Sequence, residues 1–151
     1  MIYLGADHGG YELKEKVKKW LKDGGHEFKD LGNDHLDSED DYPDFAAAVA
    51  EKISKGKRGD MGIAVCRSGV GMDVVANRFA GVRCGLGCSP QQIRVAKRDD
   101  NINCLALPAD FVTDEEAQSM IQMFLETLFS KGEKYLRRLE KIGRLEKSLK
   151  K

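Results

Sequence analysis

Five short apolar runs, at residues 2–6, 26–31, 61–65, 82–86 and 102–107, alternate with stretches whose apolar residues recur at helical spacing. Few folds accommodate this alternation. Runs of five or six residues suit buried strands, and a strand–helix–strand succession needs helical crossovers between parallel neighbours. Between the first two runs, Leu13, Val17, Trp20 and Leu21 share one face of a helix over 10–23, which Gly24-Gly25 stops. An acidic loop over 32–42, holding Asp37, Glu39, Asp40 and Asp41, leads into a helix from about Pro43. Its apolar positions are Phe45, Ala46, Val49, Ala50 and Ile53, and proline suits a first turn. The third run ends in a glycine-bearing turn, 66–71, with a helix starting near Gly71. Ser89-Pro90-Gln91-Gln92 reads as a helix start, with Ser at the N-cap and Pro at the first position. Thr113-Asp114-Glu115-Glu116 reads as a capping box. It opens an amphipathic helix running through Ala117, Met120, Ile121, Phe124, Leu125, Leu128 and Phe129. A last helical segment covers 133–149.

The alternation predicts an α/β protein. We expect a three-layer Rossmann-like fold, with a five-stranded parallel sheet covered on both faces and an extended C-terminal helix, all in one domain over 1–151. Such sheets bind ligands beyond the carboxyl ends of their strands, where strand order reverses. That rule selects three loops: 6–10, 66–71 and the turn after the fourth strand.

Length and composition narrow the function. A chain of 151 residues can bury a full core without metals or disulfides. The four cysteines, Cys66, Cys84, Cys88 and Cys104, form no CxxC pair and read mainly as small buried hydrophobes. No apolar run approaches the ~18 residues of a membrane span, and the N-terminus lacks a secretory pattern, so a cytoplasmic protein is expected. Lys+Arg and Asp+Glu are both 25, a balance that argues against a nucleic-acid binder. The zero is segregated. Residues 131–151 hold nine basic and three acidic residues, and the rest of the chain carries the opposite excess. Along that basic segment Tyr135, Leu139, Ile142, Leu145 and Leu149 form a near-heptad stripe, suited to packing on a partner chain or on the body.

Two loops carry the candidate chemistry. In Asp7-His8-Gly9-Gly10, Asp can position a sugar hydroxyl and His can donate to a phosphate or hydroxyl. The same four residues also suit a plain tight turn. In Cys66-Arg67-Ser68-Gly69-Val70-Gly71, a cysteine before a helix N-terminus lies in a field favouring its thiolate. The amides of Gly69, Val70 and Gly71 can form an anion-binding concavity. A base beside an anion hole is the equipment of enediolate chemistry, although a glycine turn with Cys66 as a buried filler fits the same residues. Lys134 and Arg138, four residues apart, share a helix face and could grip one phosphate or simply face solvent.

Taken together, the chain resembles the ribose-5-phosphate isomerase B family, which also includes galactose-6-phosphate isomerase subunits. The resemblance spans nearly the whole chain. It rests on Gly5-Ala6-Asp7-His8-Gly9-Gly10, Leu13-Lys14, Asp41-Tyr42-Pro43, Gly62-Ile63, the run from Cys66 to Met72, and Ala76-Asn77-Arg78. Gly81-Val82-Arg83, Asn101-Ile102-Asn103 and Leu105-Ala106 complete it. The resemblance implies a metal-free, cofactor-free aldose–ketose isomerase acting on a phosphorylated sugar, with ribose 5-phosphate and ribulose 5-phosphate as the pair. It implies Cys66 as the base moving a proton between C1 and C2, and Ser68 with the amides of residues 67–71 stabilising the enediolate. Asp7 would hold sugar oxygens, His8 would bind substrate and Tyr42 would line the pocket. It further implies a homodimer or homotetramer with shared active sites, in which Lys134 and Arg138 reach the partner's phosphate.

Three departures stand out. Asp99-Asp100 occupies the place of the family's ring-opening histidine and the Asn that follows it. Asp110 occupies the place of a phosphate-binding arginine, and Arg67 that of a glycine. Acidic groups near a phosphate would repel it by several kcal/mol when poorly solvated, roughly what Coulomb's law gives at intermediate dielectric. Two expectations follow. Asp99 opens the sugar ring as a base of raised pKa, and Arg67 replaces the lost arginine, with Asp100 also at the substrate. Another sugar phosphate, such as a six-carbon one, or a non-catalytic binding role are the competing readings.

Overall fold

In the computed structural model of the chain, residues 1–149 are described. Five strands, β1 (Ile2–Ala6), β2 (Phe28–Asp30), β3 (Met61–Cys66), β4 (Cys84–Leu86) and β5 (Cys104–Pro108), form one sheet. Its order is β2-β1-β3-β5-β4, and every neighbouring pair is parallel. The helices are α1 (Tyr11–Asp23), α2 (Tyr42–Lys55), α3 (Val70–Ala76), α4 (Pro90–Asp100), α5 (Asp114–Glu126) and α6 (Glu133–Leu149). No helix among the described residues is long and apolar enough to cross a membrane.

Alternation along the strands sorts side chains to two unlike faces. Leu4, Ile63, Val65, Leu105 and Leu107 face α1, α4 and α5, where Leu13, Val17, Ile93, Met120 and Phe124 complete the larger core. Ala64, Cys66, Cys104 and Ala106 face α2 and α3. Small side chains on that face let two helices lie close to the strands, which brings Cys66 under the start of α3. Cys66 and Cys104 are buried, Cys84 is half-buried and Cys88 is exposed; all four are free.

The sheet order corrects one expectation. β5 inserts between β3 and β4, so the loop after β5, not the turn after β4, flanks Cys66. Ala109 N–H donates to the Cys66 carbonyl at 2.9 Å and Asp110 N–H to the Arg67 carbonyl at 2.9 Å. Both edge strands are shorter than their apolar runs. At β2, His26 N–H returns to the Leu21 carbonyl at the end of α1. Before β4, Arg83 N–H is taken by the Asn103 side chain at 2.7 Å. The capping box at Thr113 forms in both halves. Ser89 caps α4, but Gln92 turns its side chain to Cys88 N–H and the Leu86 carbonyl rather than back to the cap. Helix α5 ends at Glu126, short of the predicted Phe129. Thr127 is extended, Leu128 is 85% exposed, and Ser130 N–H binds the Arg98 carbonyl.

Helix α6 buries none of its residues against its own chain, and Leu136, Ile142, Leu145 and Leu149 are all exposed. A groove of about 760 Å³ separates Ile142 and Leu145 from Val82 and Ile102 of the body. Lys150 and Lys151, the last residues of the basic segment, lie outside the described residues.

Candidate active site

Three loops meet at the carboxyl ends of β1, β3 and β5. Ala6 and Val65 are register partners, so Asp7 and Cys66 leave adjacent strands side by side at the switch point. Asp7 is 6% exposed, and its Oδ1 accepts from Gly10 N–H at 3.0 Å, closing the turn into α1. Burial raises its pKa above the usual carboxylate value, against the pull of the Gly10 amide.

Cys66 is 5% exposed, and its Sγ accepts from Gly69 N–H at 3.2 Å. Gly69 sits at φ 72°, a left-handed conformation natural to glycine, and Leu86 lies 2.6 Å from where a Cβ would be. The next amide, Val70 N–H, donates to Ser68 Oγ at 3.3 Å. The amides of the turn therefore converge on the thiol and the hydroxyl. Helix α3 has only seven residues. The polarity at Cys66 thus comes from these local amides rather than from a long helix dipole, which qualifies the expectation drawn from the sequence. Tyr42, first residue of α2, is 40% exposed and lays its ring on Gly71, where a Cβ would come within 2.7 Å. A side chain at residue 71 would displace that wall.

Beside the cradle lies a polar cleft of about 380 Å³ lined by His8, Gly9, Glu12, Leu36, Ser38, Arg67 and Asp110. Arg67 Nη1 stands 3.5 Å from Asp110 Oδ2, a loose contact between exposed side chains. His8 Nδ1 lies 2.7 Å from Asp40 Oδ1, and the same oxygen accepts His8 N–H at 2.9 Å. Bonding to Asp40 raises the His8 pKa above that of a free imidazole. Asp40 was visible in the sequence only as one acid of a loop. No spacing rule links it to His8 across 32 residues; the fold does. Asp7, His8 and Asp40 offer ligand atoms within 4.8 Å of one another, the one such cluster among the described residues. His8 and Asp40 are bonded directly, and Asp7 is occupied by an amide, so the geometry is that of a hydrogen-bonded network.

Four of the predicted site residues lie elsewhere. Helix α4 leaves the carboxyl edge and runs back, so Asp99 and Asp100 sit at the opposite end of the sheet from Cys66. The start of α6 joins them there. Arg98 Nε binds Asp99 Oδ1 at 2.6 Å, and Nη2 binds Oδ2 at 3.1 Å. This fork lowers the Asp99 pKa, with a smaller contribution from Tyr135. The expectation of a raised pKa at Asp99 is therefore overturned: the arginine beside it stabilises the carboxylate. Arg98, occupied in this way, is not a free cation. Lys134 Nζ and the Arg138 guanidinium lie 4.7 and 5.9 Å from the Tyr135 ring centre, and both are exposed. Asp100 borders the groove under α6. Within one chain, then, Asp7, His8, Tyr42, Arg67, Ser68 and the amides of residues 69–71 gather at Cys66, whereas Asp99, Asp100, Lys134 and Arg138 do not.

Fold and site define a class: a doubly wound α/β protein presenting a thiol, an amide cradle and a buried carboxylate at its switch point, equipped to move a proton on an oxygen-rich small molecule. The profile of the family described as ribose/galactose isomerase matches residues 2–142, and the chain belongs to that family. It is 40% identical over 146 residues to the probable ribose-5-phosphate isomerase B of Mycoplasma genitalium, covering 97% of this chain and 95% of that one. The crystal structure of the Mycoplasma genitalium enzyme with bound ribulose-5-phosphate superposes with a TM-score of 0.93, covering 97% of this chain and 95% of that one at 40% identity. Ribose-5-phosphate isomerase B of Mycobacterium tuberculosis is 35% identical over 147 residues, covering 97% of this chain and 90% of that one.

Proposed function

We propose that the chain interconverts ribose 5-phosphate and ribulose 5-phosphate through an enediolate, with Cys66 as the base. The observation that carries this reading is the bond from Gly69 N–H to Cys66 Sγ at 3.2 Å, beside Asp7 on the adjacent strand. The bonded sulfur is held as an acceptor beside Asp7, placed to take a proton from a sugar carbon. In the proposed step the thiolate takes the C2 proton of the open-chain aldose, and the electron pair moves into the C1–C2 bond and onto O1. The proton then returns to C1 while the O2 hydrogen passes to O1, leaving the ketose. Ser68, oriented by Val70 N–H, and the Gly71 amide hold the developing oxyanion, while Gly69 N–H stays on Cys66 Sγ. Such preorganised donors act most strongly where water is excluded, and Cys66 is nearly buried. Asp7 holds sugar hydroxyls and Tyr42 forms a wall. His8 and Arg67 take the phosphate, with Arg67 offsetting Asp110 in the cleft.

The rest of the site comes from a second copy. Asp99, Asp100, Lys134 and Arg138 are too far from their own Cys66 to serve it, and α6 leaves an apolar stripe uncovered. A basic segment 131–151 crossing the acidic body of a partner would cover that stripe and deliver these residues. Lys134 and Arg138 would then meet the phosphate, and Asp99 would accept a hydrogen bond from the O1 hydroxyl of the cyclic sugar. Asp100 would border the substrate. Held ionised by Arg98, Asp99 is a weak base, so its part is orientation more than proton removal. A cytoplasmic location follows from a substrate that is a phosphorylated metabolite.

Ketose formation from ribose 5-phosphate tests the reading. Wild-type protein should turn over, and Cys66→Ala should not. Preferred turnover of a six-carbon sugar phosphate would move the substrate assignment, and binding without turnover of any aldose phosphate would reject catalysis.

A further inference from the structure

We infer that Asp40 is a positioning residue of this site: one of its carboxylate oxygens fixes both the main chain and the imidazole of His8, presenting the remaining ring nitrogen to an anionic oxygen of the substrate. The inference rests on the reading of the cleft as the place where the phosphate lies.

Asp40 Oδ1 accepts from His8 N–H at 2.9 Å and stands 2.7 Å from His8 Nδ1. With Nδ1 occupied by a carboxylate, Nε2 is the ring nitrogen left to the cleft that His8 lines. The carboxylate is itself anchored. Asn33 Nδ2 donates to Asp40 Oδ2 at 3.2 Å, and the Asn33 carbonyl accepts from Lys14 Nζ at 2.6 Å. Lys14 is fully buried and also binds Asp30 Oδ2 at 2.6 Å. A chain of contacts thus runs from a buried ammonium in α1, through Asn33 and Asp40, to the imidazole at the cleft. Side chains held this way keep one rotamer, the condition for precise ligand placement.

The charges around His8 favour its cationic form. Asp40 and Asp7 support it and Arg67 opposes it, while Glu12 and Asp110 line the same cleft. Burial opposes ionisation of Asp40, but the two His8 bonds and Asn33 outweigh it, so its pKa is lowered. When protonated, His8 stands beside Arg67 as a second cation in a cleft that also holds Glu12 and Asp110.

The test is Asp40→Asn, which keeps an acceptor for His8 N–H and removes the charge. In the wild-type protein, the His8 imidazole followed by NMR should titrate above a free imidazole. In the variant its midpoint should fall by about one pH unit or more. KM for ribose 5-phosphate at pH 7.5 should rise several-fold with kcat little changed, and the gap between the two proteins should narrow at pH 6, where more of each imidazole is protonated. Asn33→Ala should shift both readouts the same way by less, and serves if Asp40→Asn folds poorly. An unmoved His8 midpoint would overturn the inference. So would a lowered midpoint with KM unchanged at both pH values. If wild-type protein turns over no ribose 5-phosphate, the proposed function falls, and the NMR titration still decides whether Asp40 governs His8.

Discussion

The two ends of the sheet hold polar residues in different ways. At the carboxyl end, Asp7, Cys66 and His8 are each bonded to a backbone amide or to a carboxylate that is itself anchored. At the other end, where α4 stops and α6 begins, Lys134 and Arg138 lie exposed against one tyrosine, and Asp99 is tied to its neighbour Arg98 and, more weakly, to Tyr135. The first arrangement is preorganised, with Asp7 and Cys66 buried. The second is a set of charges on a helix with no buried residue. Reactive groups need a fixed geometry before substrate arrives, so they sit on the loops of the rigid sheet. Cations that meet a phosphate can come from an exposed helix that packs on a partner.

Substitutions at each end should therefore fail differently. The largest effect is expected at the built end. Cys66→Ala should lower kcat by roughly 10²–10⁴-fold or more, as loss of a general base does, with KM for ribose 5-phosphate nearly kept. A variant retaining turnover would remove the thiol from the mechanism. Next is the deletion of residues 131–151. Sedimentation should then show a monomer, and substrate affinity should drop, while the sheet still melts cooperatively. A truncated chain that stays oligomeric and binds normally would break the comparison.

Lys14→Ala should be a stability mutation. It takes the buried donor from the Asn33 carbonyl and leaves Asp30 to Lys18 and the Gly32 amide; breaking a buried ion pair costs about 3–5 kcal/mol, and these remaining partners should hold the loss to the lower end, measurable by denaturant unfolding. The pH dependence has a definite sign. Burial works against Asp30, but bonds from Lys14, the Gly32 amide and Lys18 lower its pKa below the unfolded value. Its contribution is present above the unfolded carboxylate pKa and is lost as pH falls through the folded one. The wild-type advantage over Lys14→Ala should therefore shrink in acid. The smallest effect is expected at the far end. Asp99→Asn should slow turnover of cyclic substrate only a few-fold, because a carboxylate whose pKa Arg98 lowers is a poor base. A loss comparable with Cys66→Ala would assign it proton transfer.

Periodicity located all five strands, the helices and both chemical loops, because buried strands and capped helices leave local signals such as Thr113–Glu116. It did not reveal strand order. Nothing local marks β5 as lying between β3 and β4, and so the position of Asp110 beside Arg67 emerged only from the fold. Edge strands and the end of α5 were overextended for a related reason. Apolar residues at 128 and 129 continue the helical pattern, but Thr127 turns extended and Ser130 bonds to α4 instead. Cys66, Asp7 and His8 could be picked out because a strand end followed by glycines is recognisable. Asp40 could not, since its partner is distant in sequence and its loop is acidic throughout. Nor could the sequence show that Arg98 would lower the pKa of Asp99, because a neighbour's side-chain direction is set by the helix end and by Tyr135.

The claim that joins the two ends is that each site takes Cys66 from one copy and Arg138 from the other. Mixing two inactive variants, Cys66→Ala and Arg138→Ala, after reversible dissociation tests it directly. A mixed dimer would hold one intact site, so with random pairing about a quarter of the wild-type turnover should return. If the mixture shows only the sum of its parents, the two residues act within one chain and the account of a shared site is wrong.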